Sequence, residues 1–323
     1  MRTLALIRFL PIVFAIGSLL AGCYESSGVR PPLLRVSEHS WMLPGAAAGD
    51  LVYAADASDS RVDVFTYPAG KLVGDLTGFR GLAFMCVDTA GHIFIPNYGL
   101  SEILEYAHGG KSPIATLKDP RATPYSCSVD SMTGNLAVAN YVTDGGLLGD
   151  VVIYSHARGR PKTYEAYASA HDYFCAYDNA GDLFVEGSSP AASGGNFAIE
   201  ELPKGGRGFG PVALQNIPAY PNGLQWAGTY LAVGTGTLAG PSSGDTYIYH
   251  MQISQFIAKT IGTTQLQGNS PTANFFIDGS TIIVSGGETR PRLGFFPYPN
   301  GGSPTKTLKE TSPYGVVVSA AAH

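Results

Sequence analysis

Residues 86–97 read CVDTAGHIFIPN, and two later stretches repeat their pattern. Residues 128–140 read SVDSMTGNLAVAN, and residues 176–185 read AYDNAGDLFV. Each stretch consists of an apolar segment, an aspartate, a turn that contains glycine and a second apolar segment, which predicts a β-hairpin. Because the pattern recurs about every 45 residues, it predicts either the blades of a β-propeller or the coils of a solenoid.

A second, glycine-containing hairpin accompanies these units. It reads EYAHGGK at residues 105–111, and similar copies are FTYPAGK at 65–71, ELPKGGR at 201–207 and PYPNGGS at 297–303. Glycine suits such turns because it adopts positive φ angles at little cost. Two hairpins per unit make four antiparallel strands, which is the composition of one propeller blade.

The first unit begins in the middle of a blade. Leu51–Asp56 aligns with the second strand of the next unit, and its inner strand is missing. The segment Pro313–Ser319, near the other end of the chain, has the character of that missing strand. Its pairing with the first unit would close the ring and cover open sheet edges. We therefore predict an all-β, six-bladed β-propeller over residues 49–323, with four-stranded antiparallel blades.

The units resemble those of NHL-type six-bladed propellers, over about residues 49–320. The resemblance rests on Val-Asp-x-x-Gly, then an apolar strand, an Asn or Asp, and a strand that ends in Tyr. The Tyr-x-x-Gly-Gly hairpins are also similar to those of a group of secreted bacterial propellers. Blade five departs from the pattern, since Ala227 replaces the aspartate and residues 249–252 lack the two glycines. NHL-type propellers include scaffolds, lyases and lactonases, so the resemblance leaves the function open.

The first residues are typical of a targeting segment. A basic start is followed at residues 10–20 by an apolar stretch that is too short to span a membrane comfortably. Residues 20–23, LAGC, resemble a bacterial lipobox. The resemblance implies cleavage before Cys23, acylation of that cysteine and, because Tyr24 and not an aspartate follows it, sorting to the outer membrane. The alternative is an ordinary signal peptide with an incidental cysteine.

Residues 1–22 are accordingly predicted to be a lipoprotein signal peptide, and residues 23–48 a tether between the lipid and the propeller. The tether lacks the alternation of a strand and contains Ser, Gly and Pro residues that favour irregular chain. We expect the protein in the cell envelope, with the lipid on Cys23 as its contact with the membrane.

The charge of the chain excludes one class of partner. The net charge is −5, and removal of the signal peptide, with Arg2 and Arg8, takes it to −7. A mildly acidic chain with few charged residues has no basic surface for nucleic acid. We therefore predict a small ligand or an envelope protein as the partner, and no nucleic acid.

Three cysteines remain after Cys23, namely Cys86, Cys127 and Cys175. Each lies two or three residues before the aspartate of a repeat, on the predicted inner strands of adjacent blades. An odd number leaves at least one unpaired thiol, even in an oxidising compartment. We expect these cysteines to be small buried hydrophobic residues. A Cys127–Cys175 disulfide is an alternative, and a metal site is disfavoured because C-x-x-C spacing is absent.

The NHL resemblance implies that a ligand would bind at one mouth of the central channel, where loops lead into the inner strands. Counting back from each repeat aspartate locates these loops. Their polar and aromatic side chains suit a carbohydrate or a small anionic ligand. The alternative is that the aromatic residues shape the turns while the polar groups are hydrated. The predicted ligand-binding residues are Arg80, Tyr125, His171, Asp172, Asn222, Asn274 and Tyr314.

The NHL resemblance names two enzyme classes, and the residues that each class requires can be compared with the predicted mouth residues. Lactonase-like propellers hold a divalent cation with Glu, Asn and Asp side chains, and hard cations prefer several converging oxygens. Asp172, Asn222 and Asn274 could contribute, but no Glu occupies an equivalent mouth position. Lyase-like propellers use a histidine as general base, and His171 is the one candidate in a mouth loop. We predict no cofactor, with a divalent cation at the channel mouth as the alternative.

The predicted function is that of an envelope-anchored lipoprotein whose propeller binds a ligand or acts as a protein-interaction scaffold. The alternative is a channel-mouth enzyme of the lyase or metal-dependent lactonase type. Three further polar residues, Asp56, Asn97 and Asn140, recur at the end of the second strand. Short polar side chains cap turns at such positions, so we interpret these three as structural.

Overall fold

The structure is a computed structural model, in which residues 36–323 form one compact unit. It describes residues 39–120, 122–144, 146, 148–166, 171–188, 197–215, 221–235, 244–268, 274–286, 292–309 and 312–322. The predicted signal peptide, Cys23 and most of the predicted tether lie outside the described residues.

The described residues form β-strands and three single turns of 3-10 helix, at Ala46–Ala48, Tyr98–Leu100 and Ser155–Ala157. The first strands are β1 (Trp41–Met42), β2 (Leu51–Asp56), β3 (Arg61–Thr66), β4 (Leu72–Leu76), β5 (Cys86–Val87), β6 (Ile93–Asn97), β7 (Glu102–Tyr106), β8 (Pro113–Lys118), β9 (Ala122–Val129), β10 (Leu136–Thr143), β11 (Asp150–Tyr154) and β12 (Lys162–Tyr164). The remaining strands are β13 (His171–Tyr177), β14 (Leu183–Ser188), β15 (Phe197–Leu202), β16 (Gly210–Pro211), β17 (Ala213–Gln215), β18 (Pro221–Trp226), β19 (Leu231–Thr235), β20 (Thr246–Ser254), β21 (Ile257–Leu266), β22 (Asn274–Asp278), β23 (Thr281–Ser285), β24 (Arg292–Pro297), β25 (Lys306–Lys309) and β26 (Pro313–Ser319).

These strands make six sheets, which are the blades of a propeller. From the innermost strand outward, blade 2 is β5-β6-β7-β8, blade 3 is β9-β10-β11-β12, blade 4 is β13-β14-β15-β16 and blade 6 is β22-β23-β24-β25. Blade 1 is β26-β2-β3-β4-β1, and blade 5 is β18-β19-β20-β21-β17. The predicted all-β, six-bladed fold is confirmed.

The ring is closed by the C-terminal strand, as predicted. β26 pairs antiparallel with β2, which places Val318 opposite Val52 and Val316 opposite Ala54. These valines are buried in a cluster shared with blade 6. The closing strand therefore contributes both sheet hydrogen bonds and apolar packing to the first blade.

Blades 1 and 5 each carry a fifth, outermost strand. β1 pairs antiparallel with β4, and the indole N–H of Trp41 donates a hydrogen bond of 2.7 Å to the carboxylate of Asp75. The region assigned to the tether, residues 23–48, thus overlaps blade 1 at its C-terminal end. In blade 5, β17 runs parallel to β21, with Ala213 opposite Ile257.

The repeat motif encodes the hairpin that joins the first and second strands of a blade. In blade 2, Oδ1 of Asp88 accepts hydrogen bonds from the main-chain N–H groups of Ala90 and His92, at 2.9 and 2.8 Å. Gly91 supplies a φ of 83°, which β-carbon-bearing residues rarely adopt. Asp178 makes the same pair of bonds in blade 4, at 2.8 and 2.9 Å. The recurring spacing of aspartate and glycine in these two repeats is therefore a requirement of turn geometry.

The apolar core is divided among the blade interfaces. Six buried clusters occur among the described residues, and each lies between two neighbouring blades. The second strand of blade 2, Ile93–Asn97, is buried along its whole length, whereas the outer strand Pro113–Lys118 is mostly exposed. A blade cannot bury its two faces alone, so the ring is stabilised by packing between neighbours.

Asp56, Asn97 and Asn140 are all fully buried and structural, but only Asp56 caps its own turn. Its Oδ1 accepts from the N–H groups of Ser58 and Asp59, at 3.1 and 3.2 Å. The other two bind the loop that leads into the inner strand of the same blade. Oδ1 of Asn97 accepts from the N–H of Arg80 at 2.7 Å, and Nδ2 of Asn140 donates to Asp119 at 3.0 Å.

Candidate functional site

The inner strands surround a central channel with two ends. The end at which β9, β13, β18, β22 and β26 begin is called the mouth. The opposite end, where the Asp88 and Asp178 turns lie, is called the hairpin end. The predicted site belongs to the mouth, since its residues lie within the first four residues of the inner strands or before them.

Four aromatic rings pack together at the mouth and form the ring cluster: Phe84, Tyr125, Phe174 and Tyr314. The ring centroid of Phe84 lies 5.0 Å from that of Tyr125, 4.6 Å from that of Phe174 and 5.0 Å from that of Tyr314. Tyr314 belongs to blade 1, and the others come from the loop before β5, from blade 3 and from blade 4. Because blades 1 and 3 are not neighbours in a ring of six, these contacts cross the channel.

A second aromatic layer adjoins the ring cluster. The rings of Tyr141 and His171 stack, with centroids 4.6 Å apart and an interplanar angle of 21°. Tyr141 also contacts Tyr125 and Tyr173, at centroid distances of 5.5 and 5.4 Å. These side chains are half-buried, as is Tyr314. Together they form the mouth patch, defined as Tyr125, Tyr141, His171, Tyr173 and Tyr314.

The hydrogen bond of His171 determines which of its nitrogens carries a proton. Nδ1 lies 3.1 Å from the carbonyl oxygen of Tyr141, and a carbonyl can only accept. Nδ1 must therefore be protonated, which leaves Nε2 as the nitrogen that can accept when the ring is neutral. The imidazole is held both by this bond and by its stacking on Tyr141.

Burial raises the pKa of Tyr125 and of Tyr173 above the ordinary tyrosine value. Their phenol groups stay protonated at physiological pH and remain hydrogen-bond donors. The hydroxyl oxygens of Tyr125 and Tyr314 are 3.2 Å apart, so one donates to the other. The phenols of Tyr125 and Tyr173 thus add neutral hydroxyl groups to the aromatic faces of the mouth patch.

The structure brings three of the predicted site residues into one contact network and places the others elsewhere. Tyr125, Tyr314 and His171 belong to the mouth patch. Asp172 is buried beside Gly149, where a β-carbon on that glycine would come 3.1 Å from Oδ2 of the aspartate.

The other three predicted residues have separate positions. Arg80 is exposed, and its main chain is held by Asn97 and by Gly99, whose N–H donates to the Arg80 carbonyl at 2.7 Å. Asn274 is buried and lines the channel. Asn222 lies on β18, and its side chain is outside the described part of the structure.

Sequence reasoning missed four residues of this end of the channel: Phe84, Tyr141, Tyr173 and Phe174. Three of them share a signal, because Phe84 and Phe174 lie four residues before a repeat aspartate and Tyr173 lies five before one. Tyr125, which was predicted, also lies five residues before its aspartate. Tyr141 follows Asn140 on the second strand and is brought to the mouth by the pairing of β10 with β9.

A cavity of about 230 Å³ lies in the channel on the far side of the ring cluster. All six inner strands line it, and Phe84 and Phe174 form its wall toward the mouth. None of the described lining residues is an Asp, Glu, Lys, Arg or His. The polar side chains of the lining include Ser126, Ser128, Tyr177, Gln225, Asn274 and the indole of Trp226, none of which is a charged residue type.

The three inner-strand cysteines are buried, as expected, but two of them form a disulfide and are not free thiols. Cys86 forms a disulfide with Cys127, with Cα atoms 5.5 Å apart, and Cys175 is free and buried. The bond joins β5 of blade 2 to β9 of blade 3, because the side chains of Cys86 and Cys127 face each other between these inner strands. A Cys127–Cys175 disulfide is therefore wrong. Burial raises the pKa of Cys175 to about 12, so its thiol is protonated and unreactive.

A separate pair of carboxylates lies beside a cleft of about 920 Å³ between blades 2 and 3. Nδ2 of Asn140 donates to Oδ2 of Asp119 at 3.0 Å and to Oδ1 of Asp150 at 2.6 Å. Burial raises the pKa of Asp119 to about 6 and also raises that of Asp150. Asn140 thereby joins the loop before β9 to the first residue of β11.

The described residues lack two features that would indicate other kinds of function. No cluster of three or more His, Cys, Asp or Glu side chains with metal-binding geometry occurs among them. They also include no helix with the length and apolar character needed to cross a membrane.

Comparison with known proteins bears on the fold. No protein-family model matches the chain, and no curated protein matches it. Among solved structures, the chain is similar to one in the crystal structure of a nidogen/laminin complex, with a TM-score of 0.62 and 11% sequence identity. That similarity covers 85% of this chain and all of the other. At this identity the comparison shows the fold alone, which is a six-bladed β-propeller.

Proposed function

We propose that this protein is an envelope-anchored lipoprotein whose NHL-type propeller binds a ligand or protein partner at the mouth patch. The observation that carries the proposal is the half-buried group of tyrosines at one end of the channel, in which Tyr141 stacks on His171. Its residues come from blades 1, 3 and 4, and rigid strands hold them.

Tyrosine is well suited to binding surfaces. Its ring buries a large area, and its hydroxyl group forms hydrogen bonds while losing little conformational freedom. Such residues are enriched at interfaces and among the residues that dominate binding energy. Neutral phenols beside stacked rings would suit a carbohydrate or the polar and aromatic surface of a protein.

The structural comparison is consistent with an interaction role. The similar chain was solved in a complex of nidogen with laminin, so this architecture occurs in an assembly of proteins. At 11% identity the partner of that complex says nothing about the partner of this protein. The proposal therefore names a surface and leaves the partner to experiment.

A channel-mouth lyase or lactonase is not favoured by any observation on the described residues. A lactonase would need several carboxylate or amide oxygens around one cation, whereas Asp172 is buried beside Gly149 and Asn274 lines the channel. A lyase could use Nε2 of His171, but the ring is stacked on Tyr141, a contact that suits a binding surface equally well. We therefore propose binding and not catalysis.

The lipid anchor is proposed from the sequence. LAGC at residues 20–23 resembles a lipobox, and Tyr24 at the next position favours the outer membrane. An anchor at residue 23 and a tether before the first blade would leave the propeller free to meet envelope components.

Site-specific photocrosslinking tests the binding proposal. A photoreactive phenylalanine in place of Tyr141 should give adducts with envelope protein or glycan, because Tyr141 lies at the centre of the mouth patch. The matched control is Met132, which is 65% exposed in the turn between β9 and β10, at the hairpin end. Adducts at Met132 and none at Tyr141 would contradict the proposal.

A further inference from the structure

We propose that the channel cavity is a second binding site, for a small uncharged molecule that enters from the hairpin end. The cavity is distinct from the mouth patch, since the rings of Phe84 and Phe174 lie between them. Its volume of about 230 Å³ suits a ligand of one ring with one or two polar groups.

The direction of access follows from which residues border the cavity. At the mouth, Phe84 is only 4% exposed and touches rings from blades 1, 3 and 4. Toward the other end, the lining includes the last residues of four inner strands, and all four are half-buried. These residues are Val87, Val129, Tyr177 and Trp226. The greater exposure of these residues than of Phe84 points to access from the hairpin end.

The charge of the ligand follows from the chemistry of the lining. No described lining residue carries a charged side chain, so an ion in the cavity would lose its hydration without gaining a counter-charge. Carboxylates, phosphates and ammonium groups are disfavoured for this reason. This differs from the mouth, for which an anionic ligand was considered.

Neutral polar groups and aromatic rings provide the contacts. Ser128 Oγ accepts a hydrogen bond from the N–H of Tyr177 at 3.0 Å, which leaves its own proton available for donation. Ser126 is 3% exposed, and its hydroxyl points to the Cys175 sulfur at 4.0 Å, which is a weak acceptor. A ligand hydroxyl or carbonyl would be a better partner for either serine.

The walls are rigid enough to define a site. Both ends of the Gln225 amide are bound to the main chain of Ile277, at 2.9 and 2.7 Å. The indole N–H of Trp226 donates to the carbonyl of Gly228 at 3.0 Å, and its ring stacks parallel to Phe184. A fixed ring at the hairpin end can stack on a planar ligand without losing further freedom.

Fluorescence of Trp226 gives a direct test on the mature chain. Benzyl alcohol, benzoate and benzylammonium share one ring and differ in charge, so they are the probes. We expect benzyl alcohol to change the emission saturably, with half-saturation in the millimolar range that suits so small a ligand. The two charged probes should bind at least about tenfold more weakly. Trp226→Phe should remove the signal, since Trp41, the other tryptophan of the chain, lies on the outer strand of blade 1.

Two variants test the location. Ser128→Leu places a larger side chain in the cavity and should abolish binding, while thermal unfolding confirms that the protein is folded. Ligand-observed NMR provides a second readout. Tyr141→Ala, in the mouth patch, should leave binding of benzyl alcohol unchanged. The proposal is overturned if no neutral probe saturates, if the charged probes bind equally well, or if Tyr141→Ala is the variant that abolishes binding.

Discussion

The phenol oxygens of Tyr125 and Tyr314 lie 3.2 Å apart although 189 positions separate the two residues. Tyr125 is on the inner strand of blade 3, and Tyr314 is on the strand that closes blade 1. Their contact spans the channel above Phe84, so closure of the ring and the shape of the mouth depend on the same strand.

The contribution of this contact can be measured at Tyr314. Tyr314→Phe removes one hydroxyl and should lower the free energy of unfolding by about 1 kcal/mol. Tyr314→Ala also removes the ring that stacks on Phe84, so it should cost about 3 kcal/mol. Urea denaturation measures both values. Equal costs for the two variants would mean that the ring does not support the cluster.

Deletion of residues 311–323 should abolish cooperative unfolding. The deletion removes β26, which supplies the inner strand of blade 1 and the buried Val316 and Val317. The inner edge of β2 would then be unpaired, and the adjacent cores would be open. Calorimetry should show a broad transition or none. A single transition at the original temperature would contradict closure by this strand.

The disulfide should be a major contributor to stability. It closes a loop between residues 41 positions apart, which corresponds to at most about 4 kcal/mol. Reduction should therefore lower the urea midpoint of the parent protein and leave that of a Cys86→Ser/Cys127→Ser double variant unchanged. Cys175→Ser is the control, because reduction should still destabilise it. A non-reduced peptide map that links Cys127 to Cys175 would contradict the pairing.

The contribution of Asp119 to stability should fall as pH rises from about 4 to about 6. The pKa of an unfolded aspartate is about 3.9, and burial raises that of folded Asp119 to about 6. In this window the folded state binds more protons than the unfolded state, so the contribution of Asp119 is greatest at low pH and is lost as the group ionises.

The Asp119→Asn variant has no ionisable group at this position. Its amide oxygen can still accept the hydrogen bond from Nδ2 of Asn140. Its stability relative to the parent should rise across the same window and reach at most about 3 kcal/mol above pH 6. Asp144→Asn, at an exposed residue of the same cleft, should show no such change. Urea midpoints over a pH series measure the difference. A pH-independent difference would mean that Asp119 is not the titrating group.

The lipid anchor is tested at Cys23. Cys23→Ala should move the protein from the membrane fraction to the soluble envelope fraction, or leave it unprocessed, because one residue carries the proposed attachment. Mass spectrometry of the parent protein should find acylation at the N-terminal cysteine. A Cys23→Ala variant that is processed and stays on the membrane would contradict lipidation.

The sequence alone determined the architecture of this protein. The spacing of Asp88 and Gly91, and of Asp178 and Gly181, encodes hairpin turns through local hydrogen bonds and a positive φ angle. Local geometry of this kind can be predicted because every atom that decides it lies within a few residues. The number of blades and the closing role of Pro313–Ser319 followed from the repeat.

Tertiary structure decided how the side chains of different blades meet. Cys86, Cys127 and Cys175 occupy similar positions in their repeats. The alignment of neighbouring inner strands nevertheless pairs Cys86 with Cys127 and leaves Cys175 free. The same placement brings Tyr141 and His171 together and directs Asp172 toward Gly149. A shift of one residue turns a strand side chain to the other face of the sheet, and the repeat pattern does not specify alignment between blades that finely.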